Sequence, residues 1–334
     1  GDAALRAARR LAVPIIFTHH TLYERYTHYV PFDSPTLKRM AVGLSTEYCN
    51  LCDRVIAPSE SIAKLLKERG VETPIEAIPT GIDSEAFAEA DGAGFREAQG
   101  LSSDTKVIGT VGRLAEEKNL LYLAEAVGGY LKQNPDAVFL IVGDGDARDD
   151  MLAILKKNAS EQQIHSVGKL SGQELRDAYA AMDCFVFASQ TETQGIVLAE
   201  AMASGQPVVA LDGPGVREVV EEGSNGILLP SDSPAEKFGE SLKTLFTHEG
   251  SLHSYAEAAH KTAEAYDTSA CAERMLEVYE EVTAEHRKES TGDVPDFWQR
   301  MLAELEVEWD LAVEKSAAVR AAFKAEEKSE VPLD

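Results

Sequence analysis

Gln190-Thr191-Glu192-Thr193-Gln194-Gly195-Ile196-Val197-Leu198-Ala199-Glu200-Ala201-Met202-Ala203-Ser204-Gly205-Gln206-Pro207-Val208-Val209 is the stretch on which the reading turns. The residues before it, Cys184–Ala188, form a short apolar run, the mark of a buried strand. A polar loop carrying Glu192 follows, and a helix opens at Gly195 and runs to Ala203. Pro207–Ala210 reads as the next strand. In parallel sheets built this way, ligands bind at the carboxyl ends of the strands, which is where this loop lies. The first amides of a helix lack partners within the helix, so they attract an anion. Gly195 would let a phosphate approach the backbone closely. Glu192 and Glu200, seven residues between them, flank that position, and two carboxylates beside a phosphate site suit a sugar nucleotide. The same residues also fit two surface glutamates next to a capping loop.

The alternation extends in both directions. Upstream, Val107–Val111 leads to a helix over Asn119–Gln133, Val138–Val142 to one over Asp149–Asn158, and Ile164–Val167 to one over Gly172–Met182. Downstream, Pro207–Ala210 is followed by a short helix near Val216–Glu222, then Gly226–Leu229 by a helix over Pro234–Thr247. Repeated units of this length imply a parallel sheet covered by helices on both faces. Nearer the start, Val13–Thr18, Arg54–Ala57 and Ile75–Ile78 are strands, with Ser59 capping a helix over Glu60–Arg69. Residues 84–104 are rich in Ala, Gly, Glu and Asp without strong periodicity, and read as a linker. The expected organisation is therefore α/β in two Rossmann-like parts: a partial first domain over 1–90, a second over 106–265, and a crossover helix with a helical appendage over 266–334. The apolar stripe Phe297, Trp298, Met301, Leu302 and Leu305 in that appendage suits packing.

A second cluster follows the strand ending at Val111. In Gly112-Arg113-Leu114-Ala115-Glu116-Glu117-Lys118-Asn119, Arg113 and Lys118 sit in a loop on the same sheet edge as Glu192. Two cations there can neutralise a diphosphate, although exposed bases on a loop are common. Asp144 and Asp146 in Gly143-Asp144-Gly145-Asp146 read as a strand-ending turn, and no metal is assigned. Gly213-Pro214-Gly215 is a tight turn. In the first domain, Phe17-Thr18-His19-His20-Thr21-Leu22-Tyr23 also follows a strand, so its histidines lie at a ligand-binding edge. Tyr26, His28 and Tyr29 continue it as an aromatic, polar stretch.

Composition sets outer limits. The 334 residues suffice for two cores, and 44% are hydrophobic, which fits a globular chain. A net charge of −25 argues against nucleic acid as a partner. Much of the acid lies late, over Glu304–Glu308 and Glu326–Glu330, as on a solvated tail. No apolar run is long enough for a membrane span, and no leader peptide is evident. Cys49 and Cys52 form a lone C-x-x-C ahead of a strand, which reads as two buried thiols and implies a reducing, cytoplasmic setting. The chain opens without Met inside a helical stretch, as a piece of a longer protein would.

Taken together, Thr18-His19-His20-Thr21, Val55-Ile56-Ala57-Pro58-Ser59, Ile78-Pro79-Thr80-Gly81-Ile82-Asp83, Val111-Gly112-Arg113 with Lys118-Asn119, Val142-Gly143-Asp144-Gly145 and the Glu192-to-Glu200 block resemble the retaining glycosyltransferases of family 4, whose fold is GT-B. Thr21-Leu22-Tyr23-Glu24-Arg25-Tyr26-Thr27-His28-Tyr29 further resembles the bacterial diacylglycerol glucosyltransferases within that family. The resemblance implies that Gly112, Arg113 and Lys118 hold the donor diphosphate together with the amides of Gly195, Ile196 and Val197. It implies that Glu192 contacts the sugar, Glu200 the ribose and His20 the region of the reacting carbon, with Val167 and Lys169 in the loop that faces the base. It also implies a metal-independent hexosyltransferase that moves a hexose from a nucleotide-diphosphate sugar of the UDP-glucose type to a lipid or small polyol, with peripheral contact at the inner membrane face through the first domain. Such proteins carry further strand–helix units before the His20 segment, which this sequence does not contain. An epimerase of the same fold, or an inactive nucleotide-sugar-binding fragment, would share these motifs.

Overall fold

The computed structural model describes residues 1–25, 34–247, 249–289 and 313. Within them the chain divides into two compact units, one made of Gly1–Pro79 and the chain from Ala272 onward, the other of Thr80–Cys271.

The first unit begins with α1 (Asp2–Leu11) and β1 (Ile16–Thr18), continues with α2 (Pro35–Asn50), β2 (Arg54–Ala57) and α3 (Glu60–Glu68), and reaches β3 (Ile75–Ala77). The three strands form a parallel sheet in the order β1-β2-β3. Ser34 and Ser59 start α2 and α3 by accepting the amide hydrogens of Leu37 and Ile62, at 3.2 and 3.3 Å, as capping serines should. Val55, Ile62, Leu66 and Cys49 are buried together on one side of β2. All four cysteines are buried free thiols, and burial pushes Cys49 and Cys52 up to about 12. That is the opposite of a reactive pair.

In the second unit, α4 (Ser84–Ala88) and α5 (Gly92–Ala98) precede the alternating series. They occupy the stretch expected as a linker. Asp83 and Asp91 cap them, and one aromatic from each, Phe87 and Phe95, is buried in the core. Helices this short show no periodicity, so tertiary burial rather than pattern defines them. The series runs β4 (Lys106–Val111), α6 (Leu120–Gln133), β5 (Ala137–Val142), α7 (Arg148–Asn158), β6 (Ile164–Gly168), α8 (Gly172–Ala180), β7 (Cys184–Phe187), α9 (Ile196–Ala203), β8 (Val208–Leu211), β9 (Gly226–Leu229), α10 (Ala235–Thr247) and α11 (Glu249–Glu264). The helix expected near Val216–Glu222 is instead a run of turns over 214–219.

The strands form one six-stranded parallel sheet in the order β6-β5-β4-β7-β8-β9. Side chains alternate between two cores. Val138, Leu140 and Val142 face one, and Ala137, Phe139 and Ile141 face the other. A strand buried on both faces needs this continuous apolar composition. The α/β class with parallel sheets is the one the sequence implied.

The last described helix, α12 (Thr268–Glu289), places Val278 and Val282 on Ile56 and Ile78 of the first unit. Arg54 pairs there with Glu76 and Glu285, at 3.2 and 3.1 Å. The stripe Phe297 to Leu305, the acidic tail and the Tyr26, His28 and Tyr29 stretch lie outside the described residues. No helix among the described residues is long and apolar enough to cross a membrane.

Candidate functional site

The strand order decides where a ligand can sit. From β4 the chain proceeds through β5 to β6 on one side, and β7 leads to β8 and β9 on the other. The loops after β4 and β7 therefore leave the sheet in opposite directions and open a crevice between them, the switch point of a doubly wound sheet.

Both loops are held by hydrogen bonds to each other. Asn119 takes the left-handed conformation at φ 54°, and its side-chain Nδ2 donates to the Ala188 carbonyl at 3.3 Å. The hydroxyls of Ser189 and Thr191 donate to the Glu117 carbonyl at 3.4 and 3.3 Å. On the far side, Gln194 is buried and grips Thr80 at both ends of its amide. Its Oε1 accepts from the Thr80 N–H at 2.9 Å and its Nε2 donates to the Thr80 carbonyl at 2.8 Å. The β4 loop has a second support. Gly143 stands at φ 138°, and a Cβ there would lie 1.8 Å from the Gly112 carbonyl oxygen. The glycines of Gly143-Asp144-Gly145 thus let one strand-ending loop pack directly on another. Among the described residues no cluster of His, Cys, Asp and Glu could hold a metal ion.

Between the two loops lies a cavity of 240 Å³. Gly112, Arg113, Lys118, Glu192, Ile196 and Val197 line it, with Thr110 and Phe187 from the strand ends. Lys118 is in direct contact with Glu192, and Arg113 with Glu117. Gly195 starts α9 at φ 74°, and a Cβ there would come 3.0 Å from the Gly215 carbonyl oxygen. Gly213-Pro214-Gly215 is therefore a wall that the glycine of the α9 start must clear. The amides of Ile196 and Val197 are in the first turn, where no earlier turn supplies an acceptor. Cations from one loop and a helix start from the other converge on one small volume, an arrangement that holds a polyanion.

Glu200 lies one turn beyond Ile196 on the same side of α9. It is largely buried, which raises its pKa above the ordinary carboxylate value, and the Tyr179 hydroxyl, donating at 2.7 Å to Oε2, opposes that rise. Nothing in the sequence drew attention to Tyr179 or Gln194 as partners of the site. Tyr179 looks like any aromatic on the inner face of α8, and only its hydroxyl hints at a polar neighbour.

The other residues expected at a site lie elsewhere. Val167, near the end of β6, is half-buried against the core, and Lys169 is exposed. They are two strands away from β4 and do not line the cavity. His20 belongs to the first unit, where it is exposed. Its neighbour His19 is buried, lowering its pKa, and its Nε2 is 2.9 Å from Ser45 Oγ.

A family profile described as glycosyl transferases group 1 matches residues 93–262. A second, described as Glycosyltransferase Family 4, matches residues 1–86. An alpha-monoglucosyldiacylglycerol synthase of Acholeplasma laidlawii is 28% identical over 237 residues, which are 68% of this chain and 60% of that protein. A synthase of the same description from Streptococcus pneumoniae is 29% identical over 226 residues, 66% of this chain and 51% of that one. The chain thus spans between half and three-fifths of the length of these two relatives. Among solved structures, Anabaena Alr3699/HepE in complex with UDP and glucose aligns with a TM-score of 0.69 at 23% identity, covering 84% of this chain and 76% of that one. That likeness is one of fold, the GT-B type.

Proposed function

Since this chain belongs to the group 1 glycosyl transferases, we propose that it carries the donor site of a retaining hexosyltransferase that draws on a nucleotide-diphosphate sugar. The observation that carries the reading is the cavity at the switch point, where Arg113, Lys118, Glu192 and the start of α9 come together. UDP-glucose is the first donor to test, because the Anabaena neighbour was solved with UDP and glucose. Diacylglycerol is the first acceptor, after the relatives' description.

The proposed chemistry needs no nucleophile from the protein. The bond from the anomeric carbon to the β-phosphate oxygen breaks, and the carbon passes through an oxocarbenium-like state. The acceptor oxygen attacks from the face the phosphate leaves, so configuration is retained. The leaving phosphate takes the acceptor's proton, and the nucleoside diphosphate departs. Lys118, Arg113 and the α9 dipole stabilise the charge that grows on the phosphate, and one such contact contributes about 2.7–4 kcal/mol. No metal is required in this scheme, because those cations meet the charge. Glu192 loses Lys118 to the phosphate and turns to the sugar hydroxyls. His20 serves near the reacting carbon, and Val167 and Lys169 near the base. Contact with the membrane is peripheral, through the first unit.

The test is transfer of a radiolabelled sugar by the full-length protein that contains this chain, with Lys118→Ala and Glu192→Ala alongside. Each substitution is expected to lower the rate by about 10²–10³-fold. Unchanged rates in both would refute the assignment, and donor turnover without acceptor would point to an epimerase.

A further inference from the structure

We infer that Tyr179 is a positioning residue for Glu200 and that, through it, the site favours nucleotides with an intact ribose over those that lack the ribose hydroxyls. The inference rests on the proposed reading of the crevice as a sugar-nucleotide site.

Glu200 has two oxygens with different surroundings. Oε2 accepts the Tyr179 hydroxyl at 2.7 Å, and among the described residues no other donor reaches the carboxylate. Oε1 is not a buried orphan, since it is absent from the buried polar atoms that lack a partner. One oxygen is therefore committed to the protein and the other is available to a ligand. A carboxylate so held can accept from a vicinal diol through Oε1 without first choosing a rotamer.

The tyrosine is itself fixed. It is fully buried in α8, with Phe87 edge-on at 5.6 Å between ring centroids and Phe185 tilted at 5.7 Å. Phe87 comes from α4 and Phe185 from β7, so three elements lock the ring. Such packing leaves the hydroxyl a single direction. A tyrosine kept for packing alone would have no need of that hydroxyl, and burying it unpaired would be costly. The buried carboxylate in turn gains a charge-assisted bond that favours its ionised form. An oriented acceptor is what a ribose diol requires, since both of its hydroxyls donate.

The experiment compares UDP with 2′,3′-dideoxy-UDP by calorimetry, on the wild-type chain and on Tyr179→Phe and Glu200→Gln. Tyr179→Phe is expected to weaken UDP roughly three- to tenfold, the scale of one hydrogen bond, and to leave dideoxy-UDP within about twofold, inside the scatter of such contacts. Glu200→Gln is expected to show the same pattern with a larger loss on UDP. Equal losses on both nucleotides in Tyr179→Phe would mean a purely structural role and overturn the inference. So would unchanged UDP affinity in Tyr179→Phe while Glu200→Gln still loses UDP selectively, an outcome that leaves the ribose reading intact. Unchanged affinity in Glu200→Gln would remove the ribose reading itself, and the inference with it. Should Tyr179→Phe fail to fold, the ¹³Cζ resonance of Tyr179 in the wild-type protein decides. It is expected to shift with UDP and not with dideoxy-UDP, and an identical response to both contradicts the inference.

Discussion

Two carboxylate–cation pairs set the two units apart. In the first unit Glu24 meets Arg69 at 2.7 Å, and both side chains are sealed, 4% and 2% exposed. In the second, Glu192 touches Lys118 with 16% and 24% exposed, at the mouth of a cavity. The chemistry is the same and the settings differ. A pair sealed from water stays closed, so its role is to hold the loop after β1 against the end of α3. An open pair beside a helix start can exchange partners, with an arriving phosphate taking the lysine and releasing the glutamate. The contrast teaches that burial, more than the presence of opposite charges, separates architecture from a site.

The largest effect should come from the sealed pair. Arg69→Met leaves the Glu24 carboxylate in the interior without its guanidinium, and is expected to cost about 3–5 kcal/mol of stability, measured as a fall in the urea midpoint. Lys118→Met should do the reverse. Its stability should change by less than about 1 kcal/mol, while sugar transfer falls about 10²–10³-fold. If the two substitutions gave similar stability losses, the distinction drawn here would fail.

Next comes the scaffold beneath the open pair. Gly143→Ala puts a methyl against the Gly112 carbonyl at a φ of 138°. It should lower the stability of the second unit by at least about 1–3 kcal/mol, and weaken UDP binding by displacing the loop that carries Arg113. A smaller effect of unusual sign is expected from Glu192→Gln. Lys118 no longer has a competing carboxylate, so UDP without a sugar should bind roughly two- to fivefold more tightly, a gain on the scale of a part-exposed ion pair. Transfer should still fall. Calorimetry with UDP checks this, and weaker binding would mean that the pair is not a competitor for the phosphate.

The smallest effect is in pH. Burial holds His19 below its ordinary value of 6.5. Above pH 6.5 the ring is neutral in both folded and unfolded chains, and its contribution to stability is fully present. As the pH falls below that, the unfolded chain binds a proton the folded one refuses, so stability declines until the folded value is passed. Denaturant midpoints between pH 7.5 and 5 should therefore fall less in His19→Gln than in the wild type.

Much of this was legible in the sequence, and the omissions have a common cause. Gly195, Glu192, Arg113 and Lys118 announce themselves by following apolar strands, because alternation along the chain fixes which loops share an edge. The pairing of Tyr179 with Glu200, of Gln194 with Thr80 and of Glu24 with Arg69 joins residues far apart in the chain. Local periodicity carries no information about such contacts. The two short helices over Ser84–Ala98 escaped for a related reason, since each shows its identity only through one aromatic in the core.

The most direct test is a crystal structure of the second unit's site with UDP-glucose bound. The diphosphate is expected to lie against Lys118 and the amides of Ile196 and Val197, the ribose on Glu200, and Glu192 parted from Lys118 and bonded to the sugar. A nucleotide bound at another edge of the sheet, with Lys118 and Glu192 still in contact, would contradict it.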